Sequence, residues 1–571
     1  MVKNLNLSFL VLFSVVALPA FAQDANTGDA RSLADRATQV AREGKNDEAL
    51  KLYREALAMA PDDISILRDY AVVLGWNEEY KQAIPVVRRI LATDSAQPDW
   101  ALREFARTFL FGDATLDALK SLNQLVARGD YSEDTLSKRA LAMRWLGRND
   151  DAELAYGDML RRYPNAGAAY AGLAYIDADR NHMSEALRTL DSAPSPVQGQ
   201  RDILIARIQI LNWTGRHYEA QRLIAALPAD LAESRDILRE RVSASRWGGN
   251  PSGAMNHMLR LVSLYPDKGS RELLGQLRAE YGHALVPSFR YTKDSDGQID
   301  RSLSTEFTVH LNPSHALRVG YQYRWLQQAA DERTLLRYEL GWSAALTRRL
   351  SVYTTLANVD YRTPGLDRKF AGDASMSIAV SDSVRLGGGG GKIVMDAFQS
   401  IDTQVMAPFG FVELGLNLGR NRIQTRYSRY SFTDDVTRSR MDAQFLRPIV
   451  IESAVRMSLG FRSSIMTHSD WTPDFYSPSR LESYFGVAQF RGRISSWMDF
   501  NSEVAGGWQS ELGSPVMHPF QISGGLAWHP SRHWRLVVDG AKSTASVDRI
   551  APGWQTYSRW SASAGIEIRL P

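Results

Sequence analysis

Residues 303–325 read LSTEFTVHLNPSHALRVGYQYRW, and their alternation decides the fold of the second half of the chain. Leu303, Thr305, Phe307, Val309 and Leu311 fall on one parity, and Ser304, Glu306, Thr308 and His310 on the other. After the turn Asn312–His315, Leu317, Val319, Tyr321, Tyr323 and Trp325 oppose Arg318, Gly320, Gln322 and Arg324. Period two places successive side chains on opposite faces of a strand, so this is a hairpin with one apolar and one polar face. The pattern begins near Leu285 and recurs to the end of the chain. Met498, Phe500, Val504 and Trp508 oppose Asp499, Asn501, Glu503 and Gln509. Trp560, Ala562, Ala564, Ile566, Ile568 and Leu570 oppose Arg559, Ser561, Ser563, Glu567 and Arg569.

A soluble sandwich also alternates, so connection lengths have to separate the two architectures. Short connections fall at Asn312–His315, Thr347–Arg349, Ser381–Ser383, Gly419–Asn421 and His529–His533. Longer ones fall at Gln327–Arg333, Arg362–Lys369, Asp396–Pro408, His468–Arg480, Gln509–His518 and Ser543–Gln555. Short turns on one side, long loops on the other and an apolar aromatic exterior fit an antiparallel transmembrane β-barrel of about 16 strands. Its first and last strands can pair and leave no open edge, and a bore of that size holds water unless something fills it.

Upstream the period changes. An alanine recurs at Ala49, Ala83, Ala118, Ala152, Ala186, Ala220 and Ala254, at intervals of 34 or 35 residues. Five residues before each stands a turn-forming position: Gly44, Glu78, Asp113, Gly147, Asn181, Gly215 and Gly249. Twelve before it, Ala37, Ala71, Ala106, Ala140 and Ala174 supply small side chains for close helix approach, and twelve after it Pro61, Pro164 and Pro266 end a helix. Segments such as GKNDEALKLYREALAMAP and GRNDDAELAYGDMLRRYP are similar to the tetratricopeptide repeat family. Ser95, Asp130, Gln198 and Ala232 depart from its terminal proline. Such an α-solenoid buries each unit on its neighbours and offers a surface for another chain. Trp76, Trp100, Trp145, Trp213 and Trp247 are read as inter-helix core.

At 571 residues the chain is too long for one core. A net charge of +3 with no Lys/Arg-rich block argues against nucleic acid, and the absence of cysteine excludes thiol catalysis, disulfides and Cys-ligated metals. The start, MVKNLNLSFLVLFSVVALPAFAQDA, reads as a signal peptide over 1–22. The expected organisation is a periplasmic repeat superhelix over 23–268 (about seven repeats), a linker over 269–284 and an outer-membrane barrel over 285–571.

A repeat superhelix ahead of a sixteen-strand barrel resembles the exopolysaccharide export porins, the type that exports poly-N-acetylglucosamine or forms the outer-membrane subunit of cellulose secretion. Asp474-Phe475-Tyr476-Ser477-Pro478-Ser479 is similar to a stretch of their outer loops, which makes Phe475 and Tyr476 outer-loop candidates. The resemblance implies a polysaccharide cargo, with periplasmic or inner-membrane synthase components docking on the repeats. Seven repeats are fewer than typical relatives carry.

By facing alone, the lumen candidates are Glu306, Arg318, Arg324, Arg337, Glu339, Asp360, Arg456, Arg462, Asp499, Glu503, Asp539, Arg559 and Glu567. From residue 285 onward there are 32 Lys/Arg against 27 Asp/Glu, so a neutral or anionic polymer is as plausible as a cationic one. No catalytic residue, cofactor or metal is expected: His310, His315, His468, His518, His529 and His533 lack metal-motif spacing, and the Gly387–Gly391 run opens no phosphate cradle. The run is read instead as allowing close packing by a loop or a bend in the wall. A Ser/His barrel hydrolase is the enzymatic alternative, and an anchored scaffold with a plugged barrel the non-enzymatic one.

Overall fold

A computed structural model describes residues 21–433, 435–451, 454–546 and 557–570. Most of the signal sequence lies outside the described residues. The chain divides into two compact units, the first ending at Ile203 and the second beginning at Leu204.

The first unit consists of helices: α1 (Phe21–Arg42), α2 (Asn46–Met59), α3 (Ile64–Trp76), α4 (Tyr80–Thr93), α5 (Asp99–Phe111), α6 (Thr115–Ala127), α7 (Glu133–Trp145), α8 (Asn149–Arg162), α9 (Gly167–Asp179), α10 (Met183–Asp191) and α11 (Ser195–Gln198). Helix α12 (Arg201–Trp213) spans the division. The periodic alanines Ala49, Ala83, Ala118, Ala152 and Ala186 are fully buried, as are Ala37, Ala71, Ala106, Ala140 and Ala174. A larger side chain at these contacts would force the helices apart. Gly44, Glu78, Asp113, Gly147 and Asn181 all adopt the left-handed conformation that ends one helix and turns the chain into the next.

Where the terminal proline is missing, other residues end the helix. Asp130 accepts hydrogen bonds from Ser132 N and Thr135 Oγ1 at the start of α7. Pro194 stops the chain after the nine-residue α10, and Gln198 Nε2 donates to the carbonyls of Leu190, Asp191 and Ala193. The tryptophans differ from expectation: Trp76, Trp100, Trp145, Trp213 and Trp247 are 44–51% exposed, so they are not core. Four of them end the first helix of a repeat, where the turn carries the side chain past the packed face.

The second unit holds α13 (His217–Ala225), α14 (Ala229–Ala232), α15 (Arg235–Trp247), α16 (Pro251–Leu264) and α17 (Lys268–Glu280), then a closed barrel. The expected linker over 269–284 is mostly helix α17. Asp267 starts it by accepting from Ser270 N at 2.8 Å, and Leu274 and Leu277 pack under α15 and α16.

The strands are β1 (His283–Asp294), β2 (Gln298–Asn312), β3 (His315–Gln328), β4 (Asp331–Ala345), β5 (Leu350–Tyr361), β6 (Lys369–Ala379), β7 (Val384–Val394), β8 (Met406–Leu418), β9 (Asn421–Ser431), β10 (Thr437–Ile451), β11 (Val455–His468), β12 (Arg480–Ser495), β13 (Met498–Glu511), β14 (Phe520–Ser531), β15 (Trp534–Ser543) and β16 (Arg559–Leu570). Each pairs antiparallel with its neighbours, and β1 pairs with β16 to close the sheet. Between β7 and β8 lies the short helix α18 (Phe398–Asp402).

One expected long loop is absent. Residues 327–333 form a two-residue turn between β3 and β4, with Ala329 at φ 53°. At the other end, β14 continues through His529 to Ser531, leaving only residues 532 and 533 as a turn.

The outward face is what lipid demands of a barrel. Leu356, Phe370, Met376 and Val412 are 62–72% exposed. Trp325, Trp508 and Trp560 ring it near the long-loop end, and Trp497, Trp528 and Trp534 near the short-turn end. Two aromatic girdles bracketing an apolar band are the mark of an outer-membrane barrel. Among the described residues no helix is long and apolar enough to cross a membrane.

Within this unit the last repeats dock on the short turns. Asp382, between β6 and β7, accepts from Tyr218 N at 2.9 Å and Glu219 N at 3.2 Å, capping α13. Tyr218 Oη donates to Arg348 O at 2.8 Å, the Arg349 guanidinium lies 4.8 Å from the same ring, and Ser252 Oγ meets Ser314 Oγ at 2.6 Å.

Candidate functional site

Residues opposed in register share a face, so the polar parity can be followed strand by strand around the wall. It places Glu306, Arg318, Arg324, Arg337, Glu339, Arg456, Arg462, Asp499, Glu503, Asp539, Arg559 and Glu567 on the inner face. Many of these inner charges are paired. Arg318 meets Glu306 at 3.3 Å, Arg337 meets Glu339 at 2.6 Å, and Arg462 bridges to Glu503, which also accepts from Gln489. Glu567 holds Arg535 and Arg569, and Asp499 holds His529 at 3.0 Å. Asp539 lines the same row as Gly525 and Ser563.

Asp360, expected in the lumen, does not face it. It stands opposite Leu336 on the outward face and pairs with Arg368 in the following loop. At the upper end of β5 the polarity inverts, because Val359 and Tyr361 point inward onto α18. That helix lies inside the barrel mouth: Phe398 and Ile401 pack on Leu326, Leu335 and Val359, and Asp402 takes both ends of the Arg333 guanidinium at 2.8 Å. Arg324 is held between Asp300 and Asp396 just beneath.

The loop over 469–479 also turns inward. Phe475 is fully buried against Phe432 and His468, and Tyr476, 5% exposed, donates to Glu511 at 2.8 Å. Both outer-loop candidates therefore pack the loop and present no face to a passing polymer. His468 is saturated as well, accepting from Arg438 Nε at 2.8 Å and donating from Nδ1 to Pro478 O.

Four rings that the sequence reading missed form, together with Phe475, a ladder on the inner wall. Phe411, Phe409, Tyr430, Phe432 and Phe475 follow one another at centroid distances of 6.4, 5.4, 6.2 and 4.4 Å, the first four with nearly parallel planes. Arg426 lies 3.8 Å from the Phe411 centroid and Arg438 5.0 Å from that of Phe432. Phe411, Phe409 and Tyr430 are partly exposed to the bore. Apolar residues are expected on the lipid side, but Glu413 shares the parity of Phe409 and Phe411, and that charge marks their face as internal.

The glycine run shapes the wall beside this ladder. A Cβ on Gly391 would meet Gly372 O at 2.1 Å, and one on Gly389 would meet Ala374 O at 2.4 Å. The close neighbours are carbonyls of the adjacent strand β6, so at Gly389 and Gly391 the wall leaves no room for a side chain.

Residues 41–104 match the tetratricopeptide repeat family. No curated protein matches the chain. Among solved structures, a bacterial polysaccharide outer membrane secretin is 10% identical with a TM-score of 0.44, covering 51% of this chain and 99% of its own. A tetratricopeptide repeat protein from Parabacteroides merdae is 16% identical, with a TM-score of 0.34 and coverages of 43% and 97%. CdiB from Acinetobacter baumannii is 10% identical, with a TM-score of 0.34 and coverages of 50% and 60%. The side chains of the lumen carry the functional reading.

Proposed function

We propose that this chain is an outer-membrane channel that exports an exopolysaccharide, a matrix polymer such as poly-N-acetylglucosamine or cellulose, from periplasm to cell surface. Its short-turn end faces the periplasm, where the repeats dock synthesis or modification partners. No catalytic step or cofactor is part of the proposal.

The observation that supports it is the aromatic ladder set in a wall of charged and amide side chains. A sugar chain slides where many weak contacts replace one another, since a single tight site would halt it. Ring faces stack on pyranose rings, and guanidinium, carboxylate and amide groups exchange hydrogen bonds with hydroxyls. A sixteen-strand barrel has the bore for a hydrated chain. Deleting the gene should remove polymer from the cell surface and trap it in the periplasm; unchanged secretion sinks the proposal. Restoring the gene as F409A/Y430A should give reduced export at normal barrel abundance.

The two inward loops favour a second reading, an anchored scaffold with a plugged barrel. Persistent closure of the full-length protein in planar bilayers, with and without those loops, would establish it in place of export.

A further inference from the structure

The second residues of β7, β9 and β11 are Arg385, Arg422 and Arg456, all on the inner face at the short-turn end. Arg491 on β12 stands directly opposite Arg456 in register. All four are exposed to the bore. Among the described residues none of the four has a carboxylate or hydrogen-bond partner, whereas Arg318, Arg337, Arg440, Arg462 and Arg535 higher on the wall or farther round the rim each have an acid in reach.

Like charges directly opposed on one face of an antiparallel pair destabilise it. Neutralisation by a neighbouring acid is the ordinary solution, and this sheet uses it elsewhere. The repeats dock on the turns of β2 to β7, and the arginine arc continues from β7 to β12 beside them.

We infer that this arc is an entry site for an anionic polysaccharide. It rests on the export reading and replaces its neutral or amino-sugar examples of cargo with an acidic chain. Guanidinium forks bind carboxylate and ester-linked anions in two-pronged fashion. Several unneutralised cations at the mouth concentrate an acidic chain there and relax their own repulsion as it enters. Higher up, where Arg318, Arg337, Arg440 and Arg462 each have an acid, the hold weakens and the chain advances.

The test uses the full-length protein in planar bilayers, with oligosaccharides of equal length added on the short-turn side. The probes are oligogalacturonate, a neutral cello-oligosaccharide and a chitosan oligomer. Oligogalacturonate should half-block the current at a concentration on the order of tenfold below the neutral chain, and the preference should shrink as salt rises. R456Q/R491Q should abolish the preference, and heat-modifiable migration on a gel matching that of the wild type certifies that the variant is folded. Equal or better block by the neutral or cationic oligomer, or a preference that survives in R456Q/R491Q, overturns the inference and leaves export standing. A barrel that passes no current, or that no oligosaccharide blocks, overturns export and the inference with it.

Discussion

Asp382 lies in the turn between β6 and β7, yet its carboxylate caps a repeat helix, accepting from the backbone N–H of Tyr218 at 2.9 Å. The neighbouring Glu219 N–H takes the other oxygen at 3.2 Å. An anion at a helix start satisfies donors that have no partner within the helix. D382A should therefore weaken this seat by about 0.5–2 kcal/mol. Hydrogen exchange on the detergent-solubilised chain would show it as faster exchange at Tyr218 and Glu219, with barrel amides unchanged. Equal protection in both proteins would mean that the turn adds nothing to the docking.

The glycines of β7 and β8 allow a graded comparison. A Cβ on Gly391 would stand 2.1 Å from a carbonyl oxygen of β6, whereas one on Gly415 would find its nearest neighbour at 3.7 Å. G391A should add about 1–3 kcal/mol of strain and so lower the temperature at which the barrel loses its compact form on a gel. G415A should leave it near wild type. If both behave alike, room for the backbone of β6 is not what the glycines supply.

Much of this architecture is legible in the sequence because both halves are periodic. The alanine at intervals of 34 or 35 marks buried helix contacts, and Leu317 against Arg318 marks the two faces of a strand. What escapes is set by packing between distant segments. Asp360 follows the polar parity only if the lumen is wet at that height, and there α18 makes the inner wall apolar. Phe475 is a loop residue by sequence, but its ring is buried on Phe432, 43 positions away. Trp76 and Trp145 have core composition, but they sit at the last turn of their helices, beyond the packed face. The ladder of Phe409 and Phe411 was hidden by the expectation that apolar residues face lipid.

In the first unit, Asp130 makes one contribution to pH dependence that a single substitution can isolate. Its side chain is 8% exposed, and it accepts from Arg103 Nε at 2.9 Å, Thr135 Oγ1 at 2.8 Å and Ser132 N at 3.1 Å. Burial alone would raise its pKa, but the hydrogen bonds outweigh it and hold the carboxyl well below the usual range. A depressed carboxylate contributes stability that is complete above its unfolded pKa of about 3.9 and fades as pH falls toward the folded value. D130A should cost about 1–3 kcal/mol at neutral pH. In helical melts followed by circular dichroism, the gap to wild type should stay constant from about pH 8 to 5 and narrow below about pH 4. A gap independent of pH down to the acid limit would remove the carboxylate from the account.

Helix α18 is held inside the mouth by two kinds of contact, Phe398 and Ile401 on the apolar patch of Leu326, Leu335 and Val359, and Asp402 on Arg333. The apolar contact is indifferent to salt, while the exposed carboxylate is screened. Replacing residues 397–404 with a short Gly-Ser linker should raise single-channel conductance, roughly twofold if the helix fills a large share of the bore. R333Q should give a smaller rise, because Phe398 and Ile401 still hold the helix. Wild-type conductance should then climb toward that of R333Q at high ionic strength, after correction for bulk conductivity. If the linker variant conducts no better than wild type, α18 does not narrow the passage, and any closure must come from the loop over 469–479 that Phe475 and Tyr476 pin to the wall.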